Sequence, residues 1–260
     1  MLFMKFTECG KKDGKTFMLL PGTACSAATN FSTVLPLLEK EYHLILIDYD
    51  GFDGTGTVFS TMEQETQKIE EHLLQNYEGR IDAAYGSSLG GSFAGILLQR
   101  QRIHMDHVIL GSSDLDQSSP IPAFFSSLIV VPFFTRIMNS GKLPAWMERF
   151  YARKHGKEAA ERLSEIICML TEKGNRFSMH SMWNEYYSDL VTPLQERIDI
   201  PGTRVHIFYA LGMGEKYRKR YLNHFSDPDI RANPYNHEIL LALHPLEWMK
   251  EVNDCLKEGG

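Results

Sequence analysis

Apolar residues along the first half of the chain follow two alternating periods. Runs at residues 15–20, 43–50 (HLILIDYD), 81–88 (IDAAYGSS) and 107–113 (HVILGSS) are short and apolar on both faces. Such runs predict strands buried from both sides. Pro21-Gly22 ends the first, and Gly51, Gly54 and Gly56 mark a loop after the second. Between the runs the period lengthens to that of a helix. Residues 29–41 place Phe31, Val34, Leu35 and Leu38 on one side, with Pro36 inside the segment. Ser60-Thr61-Met62-Glu63 has the form of a capping box, with Ser60 as cap and Glu63 reaching back. The helix it opens carries Met62, Ile69, Leu73 and Tyr77 on one face and closes at Gly79. Residues 88–102 (SLGGSFAGILLQRQR) form a third helix. Strands separated by helices of this length predict an α/β fold: a doubly wound, mostly parallel sheet with helices on both faces.

The rhythm breaks after residue 114. Residues 115–190 contain no convincing strand. Residues 157–172 form an amphipathic helix through Leu163, Ile166, Ile167 and Leu170, with Gly174 just past its end. The most apolar stretch, 121–138, is interrupted by Pro122, Pro132 and Arg136, so no membrane span is expected. Its Phe124, Phe125, Leu128, Ile129, Phe133 and Phe134 are expected to be covered, in part as the lining of an apolar pocket. A strand returns at 203–211 (TRVHIFYAL), and 229–232 reads as a short last strand. A final helix starts at Pro245, buries Trp248, Met249, Val252 and Leu256, and stops at Gly259-Gly260. The expected organisation is a core of residues 1–114 and 191–260 with a helical cap inserted at 115–190.

Composition narrows the function. The chain has 260 residues, 43% of them apolar and 23% charged, enough to bury a core without staples. A net charge of −6 argues against nucleic-acid binding, which needs clustered Lys and Arg. Cys9, Cys25, Cys168 and Cys255 are far apart and read as free thiols, which points to a reducing, cytoplasmic setting. His104 and His107, three apart, read as surface histidines before a strand, and no zinc spacing occurs. The N-terminal residues read as strand and turn and not as a signal peptide.

Gly86-Ser87-Ser88-Leu89-Gly90 matches G-x-S-x-G and lies between a predicted strand and a predicted helix. A sharp turn there, closed by small residues, lifts one hydroxyl to the sheet edge above a helix N-terminus. The register makes Ser88 the candidate nucleophile; an ordinary strand-to-helix turn is the alternative. The Leu89 N–H would be one oxyanion donor. The loop LPGT after the first buried strand would supply the other, at Thr23. Among ten histidines, His237 follows the last strand and precedes the closing helix, at the edge where Ser88 is expected. His244, directly before Pro245, suits a capping or packing role better.

Together LPGTACSA, LILIDYDGFDGTG, YGSSLGG and HEILLALHPLEWMKEV resemble the α/β-hydrolase superfamily over nearly the whole chain. The resemblance implies an inserted lid of helices after HVILGSS and the order nucleophile, acid, histidine. Members often carry His-Gly where this chain has Pro21-Gly22. No aspartate closely follows TRVHIFYAL, so Glu215 is the expected orienting acid. Asp114 is a second candidate, and Asp116 lies further from its strand. The implied activity is hydrolysis of an ester, thioester or related small acyl compound, without cofactor or metal. Acyl transfer, carbon–carbon hydrolysis and non-catalytic ligand binding stay open. A serine nucleophile disfavours the dehalogenase and epoxide chemistry for which members use aspartate.

Overall fold

The computed structural model describes residues 4–172 and 176–257. The helix stops expected at Gly174 and Gly259-Gly260 lie outside the described residues. Seven strands form one sheet: β1 (Lys5–Gly10), β2 (Thr16–Leu20), β3 (His43–Asp48), β4 (Arg80–Ser87), β5 (His104–Gly111), β6 (Arg204–Ala210) and β7 (Asp229–Asn233). Their spatial order is β1-β3-β2-β4-β5-β6-β7. Only β1, paired with β3, runs antiparallel; the other pairs are parallel. The order reverses between β2 and β4, so the loops leaving them diverge and open a crevice at their C-terminal ends.

The inner strands, β2 to β6, are apolar on both faces because both faces are covered. Met18, Leu20, Ile45, Ile47, Val108 and Leu110 enter one core, against α3 (Met62–Asn76) and α4 (Leu89–Arg100). Phe17, Leu19, Leu44, Leu46, Tyr85 and Ile109 enter the other. There they meet α1 (Ala27–Asn30), α2 (Leu35–Leu38) and residues of the C-terminal helix. Each fully buried side chain of this size contributes roughly 1.5–3 kcal/mol.

Two boundaries differ from the sequence reading. Residues 29–41 form α1 and α2, not one helix, because Pro36 is accommodated only in a first turn, where its missing N–H is harmless. The cap of α3 is Thr61, which accepts from the Gln64 N–H at 3.2 Å, whereas Ser60 donates to Glu65 at 2.7 Å.

Among the described residues, four helices lie between β5 and β6: α5 (Pro120–Ser140), α6 (Ala145–His155), α7 (Lys157–Glu172) and α8 (Met179–Val191). Helix α5 departs from expectation twice. Pro132 does not break it, and by length and composition alone it could cross a membrane. Moreover, Phe124, Phe125, Leu128, Ile129, Phe133 and Phe134 are exposed, because the helix turns Ala123, Ser127, Val131 and Thr135 inward instead. After β6 come α9 (Glu215–His224), β7, α10 (Ile239–Leu243) and α11 (Pro245–Lys257), which buries Trp248, Met249, Val252 and Leu256. His107 is not a surface residue: it lies within β5, buried, with Nδ1 3.2 Å from His206 Nε2.

Candidate active site

β4 runs into α4 through Ser88, whose φ of 50° and ψ of −113° no ordinary non-glycine residue adopts. The turn closes only because its flanks are small. A Cβ on Gly86 would sit 2.3 Å from the Gly90 carbonyl oxygen, and one on Gly90 would sit 2.1 Å from that of Leu20. Hydrogen bonds hold the strained residue. Its N–H donates to the Gly111 carbonyl (2.9 Å) and to Glu238 Oε1 (3.2 Å). Its carbonyl accepts from Ser113 Oγ at 2.8 Å and from the Gly91 N–H at 2.9 Å. Ser88 is half-buried, whereas Ser87 is 1% exposed and accepts from Asn30 Nδ2 at 3.1 Å. The neighbouring serines therefore differ in kind: Ser87 belongs to the scaffold, and Ser88 is presented at the surface of the crevice.

The loop after β2 abuts the elbow. A Cβ on Gly22 would lie 3.5 Å from Ser88 Cβ. The Gly22 N–H is taken by Asn30 Oδ1 (2.7 Å), and the Ala24 N–H by both carboxyl oxygens of Glu185 (3.1 and 3.2 Å). Thr23, exposed between them, is the residue of this loop whose N–H can face a ligand. Leu89 is the first residue of α4, where an N–H has no acceptor within its own helix. The loop that carries Thr23 and the first turn of α4 at Leu89 thus flank Ser88.

His237 lies just before α10. Burial holds its pKa below the ordinary histidine range, while Asp114 and a hydrogen bond with the Ser112 backbone pull it upward. Asp114 shows the reciprocal effect: burial raises its pKa, and His237 is the strongest influence lowering it. The residue after His237, Glu238, reaches the Ser88 amide, and its own N–H donates to Ser112 Oγ at 3.2 Å. The end of β5, the elbow and the His237 loop are therefore tied together.

Glu215, the expected orienting acid, lies at the surface. It begins α9, more than half exposed, with its carboxylate on Arg218 at 3.1 Å. The carboxylate whose charge acts on His237 is Asp114. A loop fixes Asp114 by Arg220 Nη1 donating to its carbonyl (2.8 Å) and by Tyr221 donating to the Ser113 carbonyl. Asp116 is engaged by Arg220. His244 stacks on Tyr235, ring centroids 4.2 Å apart.

Sequence reasoning missed Asn30, Glu185 and Glu238, the polar groups behind the elbow. Burial pushes the carboxyls of Glu185 and Glu238 up to about 8. The Ser87 hydroxyl and the Ser88 amide oppose that rise at Glu238, where one buried carboxyl oxygen has no hydrogen-bond partner. Both groups are held neutral in the fold, whereas an unfolded glutamate ionises near 4.5. The unfolded chain thus binds fewer protons between these values, and stability falls as pH rises from about 4.5 to about 8. Glu185→Gln keeps an acceptor for Ala24 and removes one such ionisation. Its melting temperature is expected to drop less than the parent's between pH 5 and pH 8, as thermal unfolding at the two pH values would show. An equal drop would mean that Glu185 is ionised in the fold. Burial, with Glu185 and Glu238 adding to it, also pushes the Cys25 thiol up to about 12, which keeps it from acting as a thiolate.

A cavity of about 140 Å³ opens beside Thr23, lined by Val130, Val131, Phe134, Met182, Glu185 and Tyr186. A larger one, about 430 Å³, lies at the other end of the sheet, where β6 and β7 begin. Its His206 is held by Asp229 (2.8 Å), and Asp229 by Arg231 (2.7 Å). Ser88 is at the opposite edge.

No protein-family model matches the chain, and no curated protein matches it in sequence. Solved structures do share its fold. A protein assigned to the α/β hydrolase family from Desulfitobacterium hafniense is 18% identical, with a TM-score of 0.77 over 97% of this chain and all of that one. An esterase from Thermogutta terrifontis is 14% identical, with a TM-score of 0.72 over 98% of this chain and 93% of that one. MenH from S. aureus is 17% identical, with a TM-score of 0.67 over 99% of both. With the reversal of strand order at β2 and β4, the elbow at Ser88 and the helices between β5 and β6, these likenesses establish that the chain has the α/β-hydrolase fold.

Proposed function

We propose that the protein is a serine hydrolase acting on small acyl esters or thioesters, with Ser88, His237 and Asp114 as its catalytic groups. The observation that carries this reading is a serine held in a strained elbow conformation and tied through Glu238 to the loop of His237 and to the end of β5. In this scheme Ser88 Oγ attacks the acyl carbon and His237 accepts its proton. Asp114 orients the imidazole and stabilises the imidazolium. The Thr23 and Leu89 N–H groups hold the negative oxygen that forms, and Asn30 and Glu238 keep loop and elbow in place. Collapse of the tetrahedral intermediate expels the alcohol or thiol, protonated by His237. Water, deprotonated by the same imidazole, then releases the acid. The helices between β5 and β6 act here as a cap, since α5 and α8 wall the cavity beside Thr23. Named esterases among the proteins of like fold support the reaction class.

The cavity sets the acyl group. At about 140 Å³ the cavity suits a short acyl chain and not a long one. Each methylene buried is worth about 0.8 kcal/mol. A series of p-nitrophenyl esters is therefore expected to show kcat/KM at least ~10-fold higher for butyryl than for acetyl, with no further gain beyond hexanoyl. A steady rise to decanoyl, or a preference for charged acyl groups, would contradict the assignment of this cavity.

A further inference from the structure

We propose that the outward face of α5, continued onto α6, is a docking surface for an anionic lipid bilayer. Helix α5 is turned opposite to a core helix. Along most of its length it is the small or slender Ala123, Ser127, Val131 and Thr135 that are buried against the body of the protein, joined only at its end by Ile137 and Met138. Its large apolar residues, at 121, 124, 125, 128, 129 and 133, recur at helical spacing on the face that meets solvent. Ile121, Phe125 and Ile129 are 72%, 61% and 76% exposed. The face continues across Phe133 to Trp146 of α6, ring centroids 6.2 Å apart, and on to Phe150. A contiguous apolar face of this kind on a soluble protein marks an interaction site.

Charge identifies the occupant. Residues 120–155 contain five cations, Arg136, Lys142, Arg149, Arg153 and Lys154, and one acidic residue, Glu148. That is +4 in a chain of −6, which leaves −10 on the remainder. All five cations are exposed. Aromatic and aliphatic side chains ringed by Lys and Arg are the composition of a helix that lies in a membrane interface and is drawn there by anionic headgroups. Two copies of this face set against each other would oppose like charges, which disfavours self-association. Crossing the bilayer is also disfavoured, because α5 is tied to the fold. Ser126 and Tyr186 hydroxyls lie 2.9 Å apart, and Asn139 bonds the Phe177 backbone in both directions, at 2.9 and 2.8 Å. The surface rests on the fold alone and is independent of the hydrolase reading.

Flotation of the whole protein with phosphatidylcholine vesicles, with and without phosphatidylglycerol, tests this. Binding is expected with phosphatidylglycerol and is expected to weaken in high salt. The double variants Phe125→Asp/Ile129→Asp and Arg149→Glu/Arg153→Glu, checked for parental circular dichroism and melting temperature, should each lower binding at least ~10-fold. Ser88→Ala should bind as the parent does, which separates docking from catalysis. Failure of the parent to bind vesicles containing phosphatidylglycerol, or equal binding by folded double variants, would overturn the proposal. So would a concentration-dependent dimer that Ile129→Asp dissociates, since the face would then belong to a second copy.

Discussion

Ser88→Ala is expected to lower kcat for ester hydrolysis by about 10⁶-fold, to the residual supplied by binding and oxyanion donors. Ser87→Ala is expected to stay within about tenfold of the parent, a barrier change of ~1.4 kcal/mol or less. The contrast follows from the elbow. Ser88 is the one residue between β4 and α4, in a strained conformation, and it is partly open to solvent. Ser87 points into the core beside Asn30 and Glu238. Its loss removes a hydrogen bond that braces the loop after β2, which loosens positioning without removing a reacting atom. A large loss in Ser87→Ala with a small one in Ser88→Ala would shift the nucleophile by one residue. Both variants need only a folded protein and one p-nitrophenyl ester.

Asp114→Asn is expected to lower kcat by about 10⁴-fold, because the orienting carboxylate keeps the histidine in its productive tautomer and stabilises the imidazolium. Glu215→Gln is expected to change kcat by less than about threefold, since its carboxylate meets Arg218 at the surface, where an exposed pair is worth 1 kcal/mol or less. Steady-state kinetics on both variants decides between them. The reverse ranking would restore Glu215 as the acid, and two mild losses would mean that neither carboxylate serves His237.

The sheet was legible because its inner strands are buried on both faces, so that HLILID, AAYG and HVILG show as continuous apolar runs. The turn at Ser88 and the loop at His237 were legible because punctuation places them: glycines around one, and the last strand and closing helix around the other. The carboxylate whose charge acts on His237 was not. Glu215 follows its strand in the expected order, but whether a carboxylate faces His237 depends on how two loops pack. The loop of Asp114 is folded over by contacts with Ser88, Arg220 and Tyr221, 25 to over 100 residues away along the chain. Glu185 and Glu238 were missed for a related reason, since nothing local distinguishes a buried glutamate from one on a helix surface. Helix α5 misled in the other direction. Its apolar residues suggested burial, yet the spacing of Ala123, Ser127, Val131 and Thr135 offers the core a smooth face of short side chains and turns the bulky ones outward.

The central claim is that Ser88 is an activated nucleophile. It is tested most directly by treating the folded protein with a fluorophosphonate and sequencing the modified tryptic peptide by mass spectrometry. Cleavage after Arg80 and Arg100 gives a peptide of residues 81–100, which carries Ser87, Ser88 and Ser92. A single covalent adduct on Ser88 is expected, absent from His237→Ala. An unlabelled folded protein, or an adduct on Ser87 or Ser92, would contradict it.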